Sequence, residues 1–599
     1  MQAIKPRNQM DPALCWRLED MVATDALWQE RLTEALADCD AFGRYAGALG
    51  ESPEALLAAL EALFALDERV TRLTTYAHMR RDEDNANPTY QGMAERSVAL
   101  CVRYASATAF VSPELLAAAD SVRAWMDGAD FAPYRRYLYE VLRGAPHTLS
   151  PEGEGLLSLM GEVTGAPETI FSMLHDADMT FPEIDDGQGG RVRITSGRYI
   201  PLLESPDRAV RRAAYEGYYD SFAQVKNTMA ATFAASLKKD AFLARARKYP
   251  SALAMSLDAD EVPEAVYTSL IEAVHAHLPA MYRYVDLRKR ALGLEEIHMY
   301  DLYTHIVDEV EMEIPYEKAW DMVLEALAPL GEDYRKLLLQ ARAGGWVDVY
   351  ENEGKTSGAY SNSVYGVHPY VLLNYQNTLD NALTLAHELG HAMHSALSNA
   401  HQPYATAGYP LILAEVASTV NEALMTRYLL DHTSGKERLY ILNNYLETIR
   451  TTVYRQVMFA EFEMKAHQRA EAGEDLTPQS ICDLYGQINQ TYYGPDMVAD
   501  ERIALEWARI PHFYSTFYVY KYATGFSAAL AIATAILEGK PGALEGYLAF
   551  LSSGGSDKPL ALLKRAGVDL TQPEAVDNCL RVFEDTLAQM EELLAVGAK

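Results

Sequence analysis

A hydroxyl residue set directly before proline punctuates this chain: Ser52-Pro53-Glu54, Ser112-Pro113-Glu114, Ser150-Pro151-Glu152, Ser205-Pro206-Asp207 and Thr477-Pro478. Each is a helix-start signal. The hydroxyl caps free backbone N–H groups, proline suits the first helical position, and a following acid sits where the helix dipole favours negative charge. After Ser52, Leu56, Leu60, Leu63 and Phe64 recur at three- and four-residue steps, the spacing of an amphipathic helix. The pattern runs with few breaks to about residue 175 and resumes beyond residue 375.

Two stretches interrupt it. Residues 178–200 read as a hairpin: Met179 to Ile184, a turn from Asp185 to Gly190, then Arg191 to Thr195. Residues 346–375 hold Trp346-Val347-Asp348-Val349-Tyr350, a Gly354–Ser361 loop and the apolar run Tyr370-Val371-Leu372-Leu373-Asn374-Tyr375. The expected fold is mainly α with a small β-sheet, divided into an N-terminal helical lobe over 1–200 and a catalytic domain over 201–599. With 599 residues, 49% hydrophobic and 23% charged, the chain has the makings of a large globular core.

The formal net charge is −32. A nucleic-acid binder needs a positive face to neutralise phosphates, so nucleic acid is excluded as a partner. Cys15, Cys39, Cys101, Cys482 and Cys579 are scattered and form no CxxC pair, which fits a reducing compartment. The N-terminal residues lack the apolar stretch of a secretory signal, and no apolar run reaches the roughly 18 residues a membrane span needs. The expectation is a soluble, cytoplasmic protein with no membrane partner.

Chemistry concentrates in Thr384-Leu385-Ala386-His387-Glu388-Leu389-Gly390-His391-Ala392. On a helix, His387 and His391 lie one turn apart on the same face, so both imidazoles can reach one zinc ion. Glu388 follows the first histidine and can accept a proton from the attacking water without being a ligand. A catalytic zinc needs a third protein ligand. Glu415 fits best: it lies in the next amphipathic segment among Leu411, Leu413, Val416 and Val420, where a buried carboxylate is costly unless paired or metal-bound. Glu422, two turns on, is the alternative ligand, or the group that orients a histidine. His394 reads as a packing histidine.

These residues belong to a longer pattern. Gly354-Lys355-x-Ser357-Gly358-Ala359-Tyr360-Ser361, Pro369-Tyr370-x-Leu372-Leu373-Asn374-Tyr375, the His387–His391 motif, Ala414-Glu415-Val416-Ala417-Ser418-Thr419, Pro511-His512-Phe513-Tyr514 with Phe517-Tyr518-Val519-Tyr520, and Ser553-Gly554-Gly555-Ser556-Asp557 occur in order over about 200 residues. In this the chain resembles the oligoendopeptidase F family of thimet-oligopeptidase-like zinc metallopeptidases. The resemblance implies one zinc ion per chain on His387, His391 and Glu415, with Glu388 as general base. It implies a two-lobed helical body around a deep channel that admits unfolded oligopeptides, and a sheet edge at 370–375 on which substrate adds as a further strand. It points to His512, Tyr514 and Tyr520 as donors to the oxyanion, with the choice among Tyr514, Tyr518 and Tyr520 open. His368 stands where that family has an asparagine-like residue and receives no role.

The expected activity is zinc-dependent hydrolysis of internal bonds in short unfolded oligopeptides. The chain shows no GxSxG elbow and no candidate cysteine nucleophile, so no covalent intermediate is expected. Two alternatives stand beside it: an exopeptidase trimming from the C-terminus, and a catalytically dead peptide-binding protein.

Overall fold

The computed structural model describes residues 4–307, 310 and 312–597. By contacts it divides into two compact units, each drawn from three segments: Met1–Pro146, Glu311–Tyr428 and Ile532–Val568 in the first, His147–Val310, Leu429–Ala531 and Asp569–Lys599 in the second.

Helices dominate both, and three of the five start signals cap helices as expected. The Ser52 hydroxyl accepts from the Ala55 N–H at the head of the Pro53–Glu83 helix. Ser150 and Thr477 cap the Pro151–Leu159 and Pro478–Tyr493 helices in the same way. Two signals work differently. The Val111–Ala117 helix begins one residue before Ser112, so Pro113 falls inside its first turn. Ser205 closes the Ser196–Glu204 helix, and Asp207 caps the 39-residue Arg208–Ala246 helix through the Ala209 N–H. Asp207 wins because its carboxylate is the stronger acceptor at a positive helix end.

Strands are short: β1 Glu183–Asp185, β2 Arg191–Arg193, β3 Val347–Asp348, β4 Tyr360–Asn362 and β5 Tyr370–Leu372. In the second unit β1 and β2 form the antiparallel hairpin expected over 178–200, with Glu183 opposite Arg193. In the first unit the order is β3-β5-β4, with β3 parallel and β4 antiparallel to β5. This corrects one expectation: the 370–375 segment is the centre of the sheet, not its edge. Tyr370, Val371 and Leu372 are fully buried, as a strand flanked on both sides demands, and the open side falls to half-buried β4.

In the first unit the Asp25–Phe42, Pro53–Glu83 and Pro88–Thr108 helices pack around Trp28, Leu60, Tyr76 and Leu100. The Trp28 indole N–H donates to the Leu73 carbonyl at 2.8 Å. The Leu379–His401 helix lies on β4 and β5, with the Tyr316–Ala326 and Gly331–Ala343 helices also against it. In the second unit the Arg208–Ala246 helix packs on the hairpin and on the Arg455–Ala472 helix. Among the described residues, no helix is long and apolar enough to cross a membrane.

Candidate metal centre

The Leu379–His401 helix starts at Thr378, whose hydroxyl accepts from the Asn381 N–H. Leu385, Ala386, Leu389, Ala392 and Met393 are buried on its inner side. That burial fixes its rotation and turns His387 and His391 together to another face. Their Nε2 atoms lie 3.2 Å apart, with the ring planes at 82°. The Leu411–His432 helix brings Glu415 to them: its Oε2 is 3.6 Å from His387 Nε2 and 3.7 Å from His391 Nε2.

The approach of these two helices depends on Gly390. A Cβ there would lie 2.5 Å from the Ser418 Cα and 2.7 Å from the Ala417 oxygen. Asn421 ties the pair: its amide donates to the Ala386 carbonyl at 3.0 Å and accepts from the Tyr334 hydroxyl at 3.1 Å. Neither residue was singled out from sequence. The signals were present, a glycine mid-helix between two histidines and an asparagine in an otherwise apolar helix face.

The donor set suits a small cation. Two nitrogens and an oxygen held about 2.0–2.1 Å from a tetrahedral zinc would lie about 3.4 Å from one another, close to the three separations found. His387, His391 and Glu415 are the group of this kind found among the described residues. Each histidine has a further partner. His387 Nδ1 is 3.4 Å from Glu422 Oε2, and His391 makes a backbone hydrogen bond to Ala414. The Glu422 contact fixes the His387 tautomer and leaves its Nε2 lone pair turned to the shared centre.

Without a cation the cluster divides its charge. Burial opposes a proton on His387, but the Glu422 bond and the charges of Glu422, Glu388 and Glu415 outweigh it, so its pKa rises. Burial and the neighbouring His387 charge push His391 down. Two imidazoles in contact cannot both be charged. Glu388 is 7% exposed; it makes a backbone hydrogen bond to Ser361 in β4, and its Oε2 has no partner among the described residues. Burial pushes its pKa up to about 7 against the pull of His387, with Glu415 and Glu422 adding to the rise. A carboxyl poised there can both take and return a proton near neutrality.

Residues 201–582 match the model of peptidase family M3, and residues 114–181 match that of oligopeptidase F. The chain is 44% identical to oligopeptidase PepF of Bacillus subtilis over 98% of its own length and 88% of that protein's. The chain belongs to peptidase family M3. It is a metallo-oligopeptidase that hydrolyses peptides. Group B oligopeptidase PepB of Streptococcus agalactiae is 38% identical, with 99% of each chain covered. The crystal structure of oligoendopeptidase-F from Enterococcus faecium is 36% identical, with a TM-score of 0.73 over 95% of this chain and 99% of that one. A solved structure from Chlamydophila abortus reaches a TM-score of 0.93 at 34% identity, covering 99% and 100%.

The other segments of the sequence pattern divide between the units. In the first, Lys355 is enclosed 2.7 Å from Asp348, and Asn374 donates to the Gly358 carbonyl at 2.8 Å, so the Gly354–Ser361 motif anchors the loop that leads into β4. His368 stacks on Trp346 at 5.2 Å and bonds Asp20, and His394 stacks on Tyr409 at 3.7 Å. Both are packing residues. His512, Tyr514, Tyr518 and Tyr520 lie in the second unit. There His512 is exposed, with the half-buried Tyr518 ring nearly parallel at 6.1 Å. Tyr514 packs on Phe171 at 4.6 Å, and Tyr520 is fully enclosed with its hydroxyl unpartnered.

Proposed function

We propose that this M3 peptidase is a zinc endopeptidase of short unfolded oligopeptides, with His387, His391 and Glu415 as the metal ligands and Glu388 as the general base. The observation that carries this reading is the convergence of two Nε2 atoms and one carboxylate oxygen within 4.8 Å, beside a buried carboxyl whose second oxygen has no protein partner. When bound, zinc supplies Lewis acidity, polarising the scissile carbonyl and lowering the pKa of water.

The chain's own groups do the rest. Oε2 of Glu388 receives the proton of the attacking water and delivers it to the departing amine. Glu422 holds the His387 tautomer. The open side of β4 can accept an extended peptide as a further strand, and the Ser361–Glu388 bond brings that strand to the base. His512, with a phenol of the Tyr514–Tyr520 segment, serves as oxyanion donor. The five unpaired cysteines support a cytoplasmic site of action.

The test is a zinc-loaded preparation incubated with an internally quenched peptide blocked at both ends, with and without a chelator. Chelator-sensitive cleavage at an internal bond is expected. Cleavage only of peptides with a free C-terminus would replace this reading with an exopeptidase, and binding without cleavage would replace it with a dead site.

A further inference from the structure

His387, His391, Ser395 and Asn399 recur at steps of four along one stripe of the Leu379–His401 helix. The first two belong to the metal centre. The last two line a cavity of about 510 Å³. Ser361 lines it too, and Ser361 is the residue whose backbone bonds Glu388. The cavity therefore adjoins the base and continues along the same helix face.

Its lining is polar, and among the described residues that form it Asp67 is the only charged one. Two phenols orient that carboxylate: the Tyr404 hydroxyl donates to Oδ2 at 2.6 Å, and Tyr104 bonds it as well. No lysine, arginine or histidine pairs with it among the described residues. The side-chain nitrogen of Asn399 is buried and has no hydrogen-bond partner among the described residues. A buried donor left unsatisfied is costly unless something that enters the cavity supplies the acceptor.

We infer that this cavity is a substrate subsite for a cationic side chain, lysine or arginine, with Asp67 as the residue that sets the preference and Asn399 as a donor to the bound peptide. The inference rests on the peptidase reading above. Its position follows from the helix. Ser395 and Asn399 lie one and two turns beyond His391, about 6 and 12 Å along the axis. An extended peptide advances about 3.3 Å per residue, so the occupant sits two to four residues from the scissile bond. A glutamate there would meet Asp67 as a like charge, and the overall charge of −32 adds to that exclusion.

The experiment moves one arginine, and separately one glutamate, along an alanine-rich quenched peptide blocked at both ends. At one position two to four residues from the cut, kcat/KM should favour arginine by about tenfold or more. In Asp67→Asn that ratio should fall to near one. Because Asp67 also anchors two tyrosines, Thr71→Lys offers a second approach: it sets a cation in the same cavity and should abolish or invert the ratio. Equal rates for arginine and glutamate at every position overturn the subsite, as does an arginine preference unchanged in both variants. The same peptides are bound to zinc-loaded Glu388→Gln and followed by fluorescence anisotropy. An arginine preference in Kd there, with no hydrolysis by the wild type, would sustain the subsite and defeat the hydrolytic reading alone.

Discussion

Oε2 of Glu422 lies 3.4 Å from Nδ1 of His387, across the ring from the nitrogen that faces Glu415. The carboxylate therefore acts through the histidine, holding its proton on Nδ1 and its lone pair toward the centre. Removing such a partner costs about 10- to 100-fold in metal affinity. Glu422→Ala should fold as the wild type does and lose zinc to a competing chelator at a correspondingly lower chelator concentration. An unchanged competition curve would remove Glu422 from the centre.

Glu388→Gln separates binding from turnover. Its carboxyl is outside the set of three that faces the shared centre, and its Oε2 is unpartnered. The amide keeps shape and volume but cannot accept the proton. Zinc content should stay at one per chain while kcat falls by roughly 10²–10⁴-fold, the usual worth of a general base. A zinc-loaded variant with near-normal kcat would refute the assignment.

Gly390 is where the helix of His387 and His391 touches the helix of Glu415, and Gly390→Ala tests whether that contact sets the site. The added methyl would meet backbone atoms of Ala417 and Ser418, which cannot rotate away. Overpacking of this kind costs about 1–3 kcal/mol or more. The melting temperature and zinc affinity should fall together, because the same displacement moves Glu415 from the histidines. A lowered melting temperature with wild-type zinc affinity would show that the contact supports the fold without placing Glu415.

The helical body was legible because capping chemistry and a 3.6-residue period are local, and the His387–His391 pair because four residues make one turn. The sheet order was not. The run Tyr370–Tyr375 reads as a strand in any position, and only the pairing of β3 and β4 with β5, brought from elsewhere in the chain, makes it central. The discontinuous units were hidden for the same reason, since contacts between distant segments leave no local period. Within the site, Asn421 bridges Tyr334 and Ala386 across long sequence separations, so its role could be read only once those helices were in place. The cavity over Asp67 is a further case, built from helix and strand residues far apart in the chain.

Glu463 offers the last test, on the segment that carries His512 and Tyr518. Its Oε1 accepts the Phe517 N–H at 2.6 Å, and Phe517 stands in the left-handed region at φ 53°, an unusual setting for a bulky residue. Burial pushes the Glu463 pKa up to about 8, against the pull of His467 and the Phe517 bond, and Asp240 adds to the rise. His467 is raised too: burial opposes its charge, but the Asp240 bond and Glu463 outweigh it. The sign follows from proton counting. Between the ordinary carboxyl value of 4.5 and about 8 the folded chain holds a proton on Glu463 that the unfolded chain has released. Stability from this group is therefore fully present below the lower value and is lost as pH rises through the upper one. His467 acts in the same direction. Glu463→Gln keeps an acceptor for Phe517 and removes the titration. Its stability relative to the wild type should grow by about 1.4 kcal/mol per pH unit between pH 6 and 8, measured from denaturant midpoints. A constant difference across that range would mean that Glu463 is already ionised in the folded protein.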